Sequence, residues 1–441
     1  MRAVSRGVRW LLIVVALLVG AAVAVPFLFP VASLIPRITL VLSASLGQPV
    51  TIAGLKVHVL PTPRLVAEGI RIGKKDEVVI GELEIVPDLL SFLSGARTIR
   101  LLRAEKVELK EAALSIPDRM RKGGETVQLR RLVLLDVRLQ HSALKLQPFD
   151  VDARIGDGLE VEMARIGTSD GALKLLVDPD GSGRAIVKLE ANRWRLPLAA
   201  APLVFDSLKA DGILAGKRLE LSKIEGRQYG GTLQASARVD WAKAWQVSGT
   251  AILAGMDLAA AQQALGIEPR LSGKLGANAK FAAAAKSPDQ LAGALAVDGP
   301  FNVADALYRG VDLAKVGDLI GSKGAGGTTR FDELRGVLQL RGKRIRINKL
   351  CAKSSALRTA GFVELAPDQK LTGRLDVSVA KTGGFVGVPV ALSGTRQDPV
   401  VRPTTGYTIG AVVGTVLLPG IGTALGASAG SAIEGKAGDC N

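Results

Sequence analysis

Residues 231–240 read GTLQASARVD, a stretch in which apolar and polar side chains alternate. Leu233, Ala235, Ala237 and Val239 occupy every second position, and polar residues stand between them. Successive side chains of a β-strand point to opposite faces, so this period of two predicts a strand with one apolar face. We therefore expect a sheet that is covered on one side only.

The same alternation recurs along the chain. It is found at Leu271–Phe281, Leu371–Val379 and Val127–Gln140, and glycine, Pro-Asp or Asp-Gly turns separate such segments. Repeated alternation with short turns is typical of antiparallel strands joined in sequence. The sequence thus predicts a mainly β protein, an elongated and twisted antiparallel sheet that forms a groove, with few short helices.

Short helices are expected where a capping Asp is followed by an apolar segment. Asp257–Leu265 and Asp312–Ile320 are each stopped by a glycine, and Asp88–Leu93 is a third candidate. These segments are brief interruptions of a β protein.

The composition excludes several classes of protein. The 441 residues include 57 Lys and Arg against 41 Asp and Glu, which gives a net charge of +16, and only 2 His and 2 Cys. So few ligands cannot form a structural zinc site or an iron–sulfur cluster, and we expect no metal and no cofactor. The positive charge predicts an anionic partner, and an aromatic content of 4% favours a lipid surface over single-stranded nucleic acid.

The N-terminus predicts a membrane anchor. No charged residue lies between Trp10 and Pro36, whereas three arginines precede this run. About 20 apolar residues span a bilayer as a helix, and the leading arginines place the N-terminus in the cytoplasm. Anchor residues include Trp10, Leu11, Leu12 and Phe29. The alternative is a cleaved signal peptide, because Ala22-Val23-Ala24 has the form of a cleavage site. Either way the bulk of the chain is exported, away from nucleic acid.

The C-terminal segment, residues 403–441, is rich in glycine and alanine. Pro403 to Ile433 carries no charge, and five glycines from Gly410 onward follow four-residue spacings. Such spacings allow close helix packing in a membrane, so a helical hairpin is one reading and a flexible tail is the other. Cys440 could pair with Cys351 in an oxidising compartment, or both could remain free thiols.

The apolar face between Gly231 and Phe281 is rich in small residues. Alanine and glycine fill little volume, which favours a groove with room for acyl chains over a packed core, although a closely packed sandwich remains the alternative. Candidate groove residues share the alternating apolar positions: Leu233, Ala235, Ala237, Val239, Leu271, Leu275, Ala277, Ala279 and Phe281.

Arg344 and Arg346 alternate with isoleucines, so both are expected on the polar face of a strand. One interpretation is a basic rim that binds phosphate head groups, and the other is an ordinary solvated face.

A series of short motifs begins directly behind the anchor and continues along nearly the whole chain. The motifs are LGQPVTIAGL at 46–55, LPTPRL at 60–65, EGIRI at 68–72, RQYGGT at 227–232, VDW at 239–241, GMDL at 255–258, RGVDL at 309–313, PVALSGT at 389–395 and Asp398-Pro399. In their sequences and their order, these motifs resemble the AsmA-like family.

This resemblance implies an inner-membrane protein of bacteria with two membranes, with its β-rich body in the periplasm. It implies an anchor at residues 1–36, an N-terminal β region at 37–300, a C-terminal β domain at 301–402 and the apolar tail. It also implies a relation to bridge-like lipid-transfer proteins, whose grooves are thought to carry phospholipid toward the outer membrane.

No constellation of catalytic residues is evident. His58 and His141 have no nucleophile near them in sequence, and Gly420-Ile421-Gly422 lacks the βαβ context of a dinucleotide site. The sequence therefore predicts a non-enzymatic protein that binds or transfers phospholipid in the periplasm and contributes to outer-membrane lipid homeostasis. The alternatives are a scaffold for outer-membrane assembly with a protein partner, and an envelope hydrolase.

Overall fold

The computed structural model describes residues 35–88, 91, 98–115, 128–141, 145–157, 160–197, 203–310, 312–313, 327–381 and 384–406. These residues are mainly β, with 23 strands and two α-helices. The described helices include none that is both long and apolar enough to cross a bilayer. The predicted anchor, most of the predicted Asp312 and Asp88 helices and the tail beyond residue 406 lie outside the described residues.

The chain divides into two compact units. The first comprises Met1–Glu190 with Pro197–Ala199, and the second comprises Ala191–Leu196 with Ala200–Asn441. The boundary expected between residues 300 and 301 lies inside a strand, Ala296–Arg309, whose ladder with its neighbours continues across it.

The first unit begins with helix α1 (Ile35–Leu46) and continues as a sheet. Its strands are β1 (Val50–Thr51), β2 (Gly54–His58), β3 (Arg64–Ile72), β4 (Val78–Pro87), β5 (Thr98–Lys110), β6 (Gln128–Leu129), β7 (Arg131–Gln140), β8 (Phe149–Ile155), β9 (Val161–Thr168) and β10 (Leu173–Pro179). Strand β11 (Arg184–Arg195) crosses the division between the units.

The expectation of a purely antiparallel sheet is wrong in this unit. Strand β5 pairs in parallel with β6 and β7, so the sheet is mixed. Parallel neighbours require a crossover of about a dozen residues or more, and residues 111–127 separate β5 from β6. Alternation reveals a strand and its buried face but carries no information on strand direction.

In the second unit, every consecutive pair from β12 to β23 is antiparallel. The strands are β12 (Val204–Ala215), β13 (Arg218–Gln228), β14 (Gly231–Asp240), β15 (Trp245–Asp257), β16 (Leu271–Ala285), β17 (Ala296–Arg309), β18 (Thr328–Arg341), β19 (Arg344–Lys353), β20 (Leu357–Leu365), β21 (Leu371–Lys381), β22 (Gly384–Gly394) and β23 (Pro399–Pro403). The predicted strand at residues 231–240 is confirmed as β14, and it lies among antiparallel strands joined in sequence, as expected.

The predicted helix after Asp257 is confirmed as α2 (Leu258–Ala264). Asp257 caps its N-terminus, because the Asp257 Oδ1 atom accepts a hydrogen bond of 3.0 Å from the Ala260 N–H. Gly266 follows the helix with a φ of +69°, a conformation that ends a helix and that glycine adopts without strain.

The main buried core of the second unit lies on β17 to β23. Its least exposed members are Val303, Ala306, Val377, Val390 and Val401. Side chains this deeply buried must be covered on the apolar face of the sheet, and they belong to one hydrophobic cluster with partly buried side chains from α2 and β16 packed against it. Two smaller clusters lie in the first unit, one beside β1 and β3 and one on β5 and β7.

Candidate functional site

The strand register of the second unit brings apolar residues into continuous rows. Leu233 of β14 pairs with Leu253 of β15, Leu253 pairs with Ala277 of β16, and Ala277 pairs with Phe301 of β17. Residues directly opposite each other in an antiparallel ladder project from the same face. The apolar positions of neighbouring strands therefore meet side by side.

Parallel rows lie beside this one. Ala235, Ala251 and Ala279 form the next row, and Ala237, Gly249 and Phe281 form the third. We call this surface the apolar strip, and define it by Leu219, Leu221, Ile224 and Gly226 on β13, Leu233, Ala235, Ala237 and Val239 on β14, Val247, Gly249, Ala251 and Leu253 on β15, and Ala277, Ala279 and Phe281 on β16.

Every residue of the apolar strip is half-buried: none is sealed from solvent and none is fully exposed. This state is expected for side chains that touch their neighbours in the sheet but have no second layer above them. The strip thus differs from the β17 to β23 region, where Val377 and Val390 are 0% exposed.

The middle of the strip is made shallow by small residues. A Cβ atom at Gly249 would lie 2.6 Å from the Phe281 Cζ atom, so the aromatic ring extends across the glycine. Alanines at 235, 251 and 279 form the adjoining row. The middle of the strip is therefore apolar and built from small residues.

The structure brings most of the predicted groove residues together. Those on β14 and the residues Ala277, Ala279 and Phe281 lie in the strip, whereas Leu271 and Leu275 pack against the buried cluster. Leu275 pairs with Val303, a member of that cluster, which accounts for its different environment.

The strip residues of β15 and β13 were not predicted from the sequence. Val247, Gly249, Ala251 and Leu253 do alternate with other residues, but the signal is weakened because Ile252, on the opposite face, is also apolar and is 48% exposed.

The first unit contains a comparable row. It crosses eight strands, from β2 to β5 and from β7 to β10, and contains only apolar residues: Leu55, Ala67, Leu83, Ala104, Leu134, Val151, Ile166 and Leu175. Ala67 and Ala104 in this row are buried.

A concave space of about 1210 Å³ lies over β15 to β20 of the second unit. We call it the basin, and its described polar and charged lining residues are Lys274, Asn278, Asn302, Arg335, Arg346, Asn348 and Lys349. Asn278 and Asn302 directly follow Ala277 and Phe301 in sequence, so their side chains project from the face opposite the apolar strip. Of the two predicted head-group residues, Arg346 lines the basin and Arg344 does not.

The other predicted chemical residues are dispersed. His141 Nε2 lies 3.5 Å from Glu111 Oε1, and His58 ends β2. Among the described residues, no group of three or more His, Cys, Asp or Glu side chains could hold a metal ion. Cys351 is buried and disulfide-bonded, and Cys440 lies outside the described residues.

No family model matches the chain, and neither a curated protein nor a solved structure matches it. The resemblance to the AsmA-like family accordingly rests on the sequence motifs alone.

Proposed function

We propose that the protein binds phospholipid on the apolar strip and takes part in lipid transfer without catalysing a reaction. The observation that carries the proposal is the strip itself, in which fifteen half-buried residues from four strands present no polar side chain. Contiguous apolar surface of this kind is typical of a site that a ligand or partner covers.

The predicted mechanism is partition of acyl chains onto the strip. Each methylene group removed from water contributes about 0.8 kcal/mol, so a long chain gains considerable free energy without any specific contact. Small residues in the middle of the strip allow the chain to lie close to the sheet. The phosphate-bearing end of the lipid stays at the solvated edge.

The proposed location is the periplasmic side of a bacterial inner membrane, with a single N-terminal anchor and a cytoplasmic N-terminus. The support for it is the uncharged run from Trp10 behind three arginines, together with the resemblance to the AsmA-like family. Contribution to outer-membrane lipid homeostasis is part of the same proposal.

The second candidate is a scaffold whose apolar face is filled by the protein itself. The buried cluster on β17 to β23 favours it for that part of the sheet, because Phe331 and Val401 are as inaccessible as residues of an ordinary core. The same cluster limits the proposed lipid site to the strands before β17.

The test is the lipid content of the full-length protein and of two glutamate variants. Ala235→Glu places a carboxylate on the strip. Removing this charge from water beneath an acyl chain costs more free energy than the burial of a few methylene groups contributes. Ala282→Glu is the matched control, because Ala282 is exposed and adjacent to Phe281 on the opposite face. Lipid held by the anchor is common to all three proteins.

Mass spectrometry of organic extracts should show less phospholipid per protein for Ala235→Glu than for the wild type and Ala282→Glu. Equal lipid content in all three folded proteins would refute the lipid function and favour the scaffold.

A further inference from the structure

The basin carries a concentration of positive charge. Lys274, Arg335, Arg346 and Lys349 line it, and no acidic residue is among its described lining residues. Such a cleft attracts anions from a distance and holds them through charge-assisted hydrogen bonds. Its volume, about 1210 Å³, exceeds the roughly 300–1,000 Å³ typical of small-molecule pockets.

Two neighbouring side chains hold the Arg346 guanidinium in position. Its guanidinium Cζ lies 5.7 Å from the centroid of the Phe362 ring, and its Nε donates a hydrogen bond of 2.9 Å to Asn348 Oδ1. Glu364 Oε2 lies 3.8 Å from Arg346 Nη1, an ion pair that is longer than a hydrogen bond. Among the described residues, the two terminal nitrogens donate no hydrogen bond.

Lys349 supplies a second available charge. It lies at the register shift between β19 and β20, has a φ of +49°, and is exposed. Within the described part of the chain, its ammonium group makes no ion pair. Lys274, in contrast, lies 3.5 Å from Asp257 Oδ2.

The basin also offers neutral hydrogen-bonding groups. Asn278 and Asn302 come from two neighbouring strands, and each amide carries both donors and an acceptor. Asn348 also lines the basin, but its amide already accepts from Arg346 Nε and donates to Gln339 Oε1. Amides beside cations suit a ligand that has hydroxyl groups as well as a negative charge. An acidic protein segment would require no such amides.

We infer that the basin binds a phosphorylated saccharide, with the phosphate on Arg346 and Lys349 and the hydroxyl groups on the amides of Asn278 and Asn302. The site goes beyond the proposed lipid function. The basin shares Leu253 and Ala277 with the strip, but the asparagine side chains that line it project from the opposite face of the sheet. The phosphorylated sugar comes either from a soluble compound or from the head group of a different, glycosylated lipid.

The experiment is calorimetric titration of the full-length protein in phosphatidylcholine nanodiscs with glucose 1-phosphate, inorganic phosphate and glucose. Arg346→Gln removes the guanidinium that lines the basin, and Arg344→Gln is the matched control. Both arginines lie on the same face of β19 and approach Glu364, but Arg344 is outside the basin. Lys349→Gln is a second basin variant on an exposed side chain, in case Arg346→Gln fails to fold.

Glucose 1-phosphate should bind the wild type and Arg344→Gln equally, and should bind Arg346→Gln and Lys349→Gln about tenfold more weakly, equivalent to about 1.4 kcal/mol. Inorganic phosphate and glucose should each bind more weakly than glucose 1-phosphate. Absence of binding, equal weakening in Arg344→Gln, or equal affinity for inorganic phosphate would overturn the inference.

A soluble lipid probe with the same sugar, dihexanoyl phosphatidylglucose, separates the two sources. Tighter binding of this probe than of glucose 1-phosphate assigns the site to a lipid head group, and the reverse order assigns it to a soluble compound. Ala235→Glu should leave both affinities unchanged, so failure of the lipid function and failure of the basin are distinguishable.

Discussion

The Phe281 ring lies across Gly249 on the neighbouring strand, where a Cβ atom would stand 2.6 Å from the Phe281 Cζ atom. The two residues are direct partners in the β15–β16 ladder. Glycine at this position lets the largest side chain of the strip lie close to the backbone of β15. This close approach therefore depends on the missing methyl group of Gly249.

Gly249→Ala should destabilise the protein by about 1–3 kcal/mol, the usual cost of forcing extra volume into a packed site. The new methyl would also contact the Ser236 carbonyl oxygen, which belongs to the backbone of β14 and cannot move freely. Gly293→Ala is the control, because its Cβ would meet only Gln290 O at 3.6 Å. The urea midpoint should fall for Gly249→Ala alone, and equal midpoints for both variants would contradict the packing described.

Val377→Ala should cost about 2 kcal/mol, because it removes two buried methyl groups and leaves a cavity in the cluster. Val377 is 0% exposed, whereas Val247 lies in the half-buried strip. Val247→Ala should therefore cost clearly less. Thermal unfolding of the two variants measures the difference, and equal losses would show that the strip is as closed as the cluster.

Asp257 should contribute stability that depends on pH. The hydrogen bond from the Ala260 N–H, assisted by Lys274, holds the pKa of the Asp257 carboxyl below its usual value of 3.8. A lowered folded-state pKa stabilises the protein at pH values above the ordinary pKa, and that contribution is lost as the pH falls through the lowered value.

Asp257→Ala should cost about 0.5–2 kcal/mol at neutral pH, the usual loss of a helix cap. In thermal unfolding, the difference in stability between the wild type and Asp257→Ala should become smaller below about pH 4, because the wild-type carboxyl becomes protonated there. Asp257→Asn, which keeps a capping oxygen, should lose less. A stability difference between the wild type and Asp257→Ala that stays constant below about pH 4 would contradict a stabilising role for the charged carboxylate.

Local features of the fold were predictable from the sequence, and features set by distant pairing were not. Strand β14 and helix α2 were predicted because alternation and an Asp cap with a glycine stop act within a few residues. The parallel pairing of β5 with β7 was not predicted, because it depends on where the chain returns after residues 111–127.

The same distinction applies to the candidate sites. Alternation placed Arg346 on the face opposite the isoleucines beside it. The positions of Arg335 and Lys274 in the basin depend on the register of three ladders, from β16 to β19. That register shifts between Arg335 and Val337, a β-bulge that no local pattern indicates. Leu275 likewise looked like a groove residue until its pairing with Val303 placed it against the core.

The most direct test of the lipid function compares two adjacent positions on β15. Ala251 lies in the apolar strip, and Thr250 projects from the opposite face, where its hydroxyl group is 3.0 Å from that of Ser236. A photoreactive phenylalanine derivative is placed at one position or the other in the full-length protein, and intact cells are irradiated before purification. The lipid function predicts phospholipid adducts at position 251 and few or none at position 250. Equal labelling at both positions, or protein adducts at 251 without lipid, would contradict it.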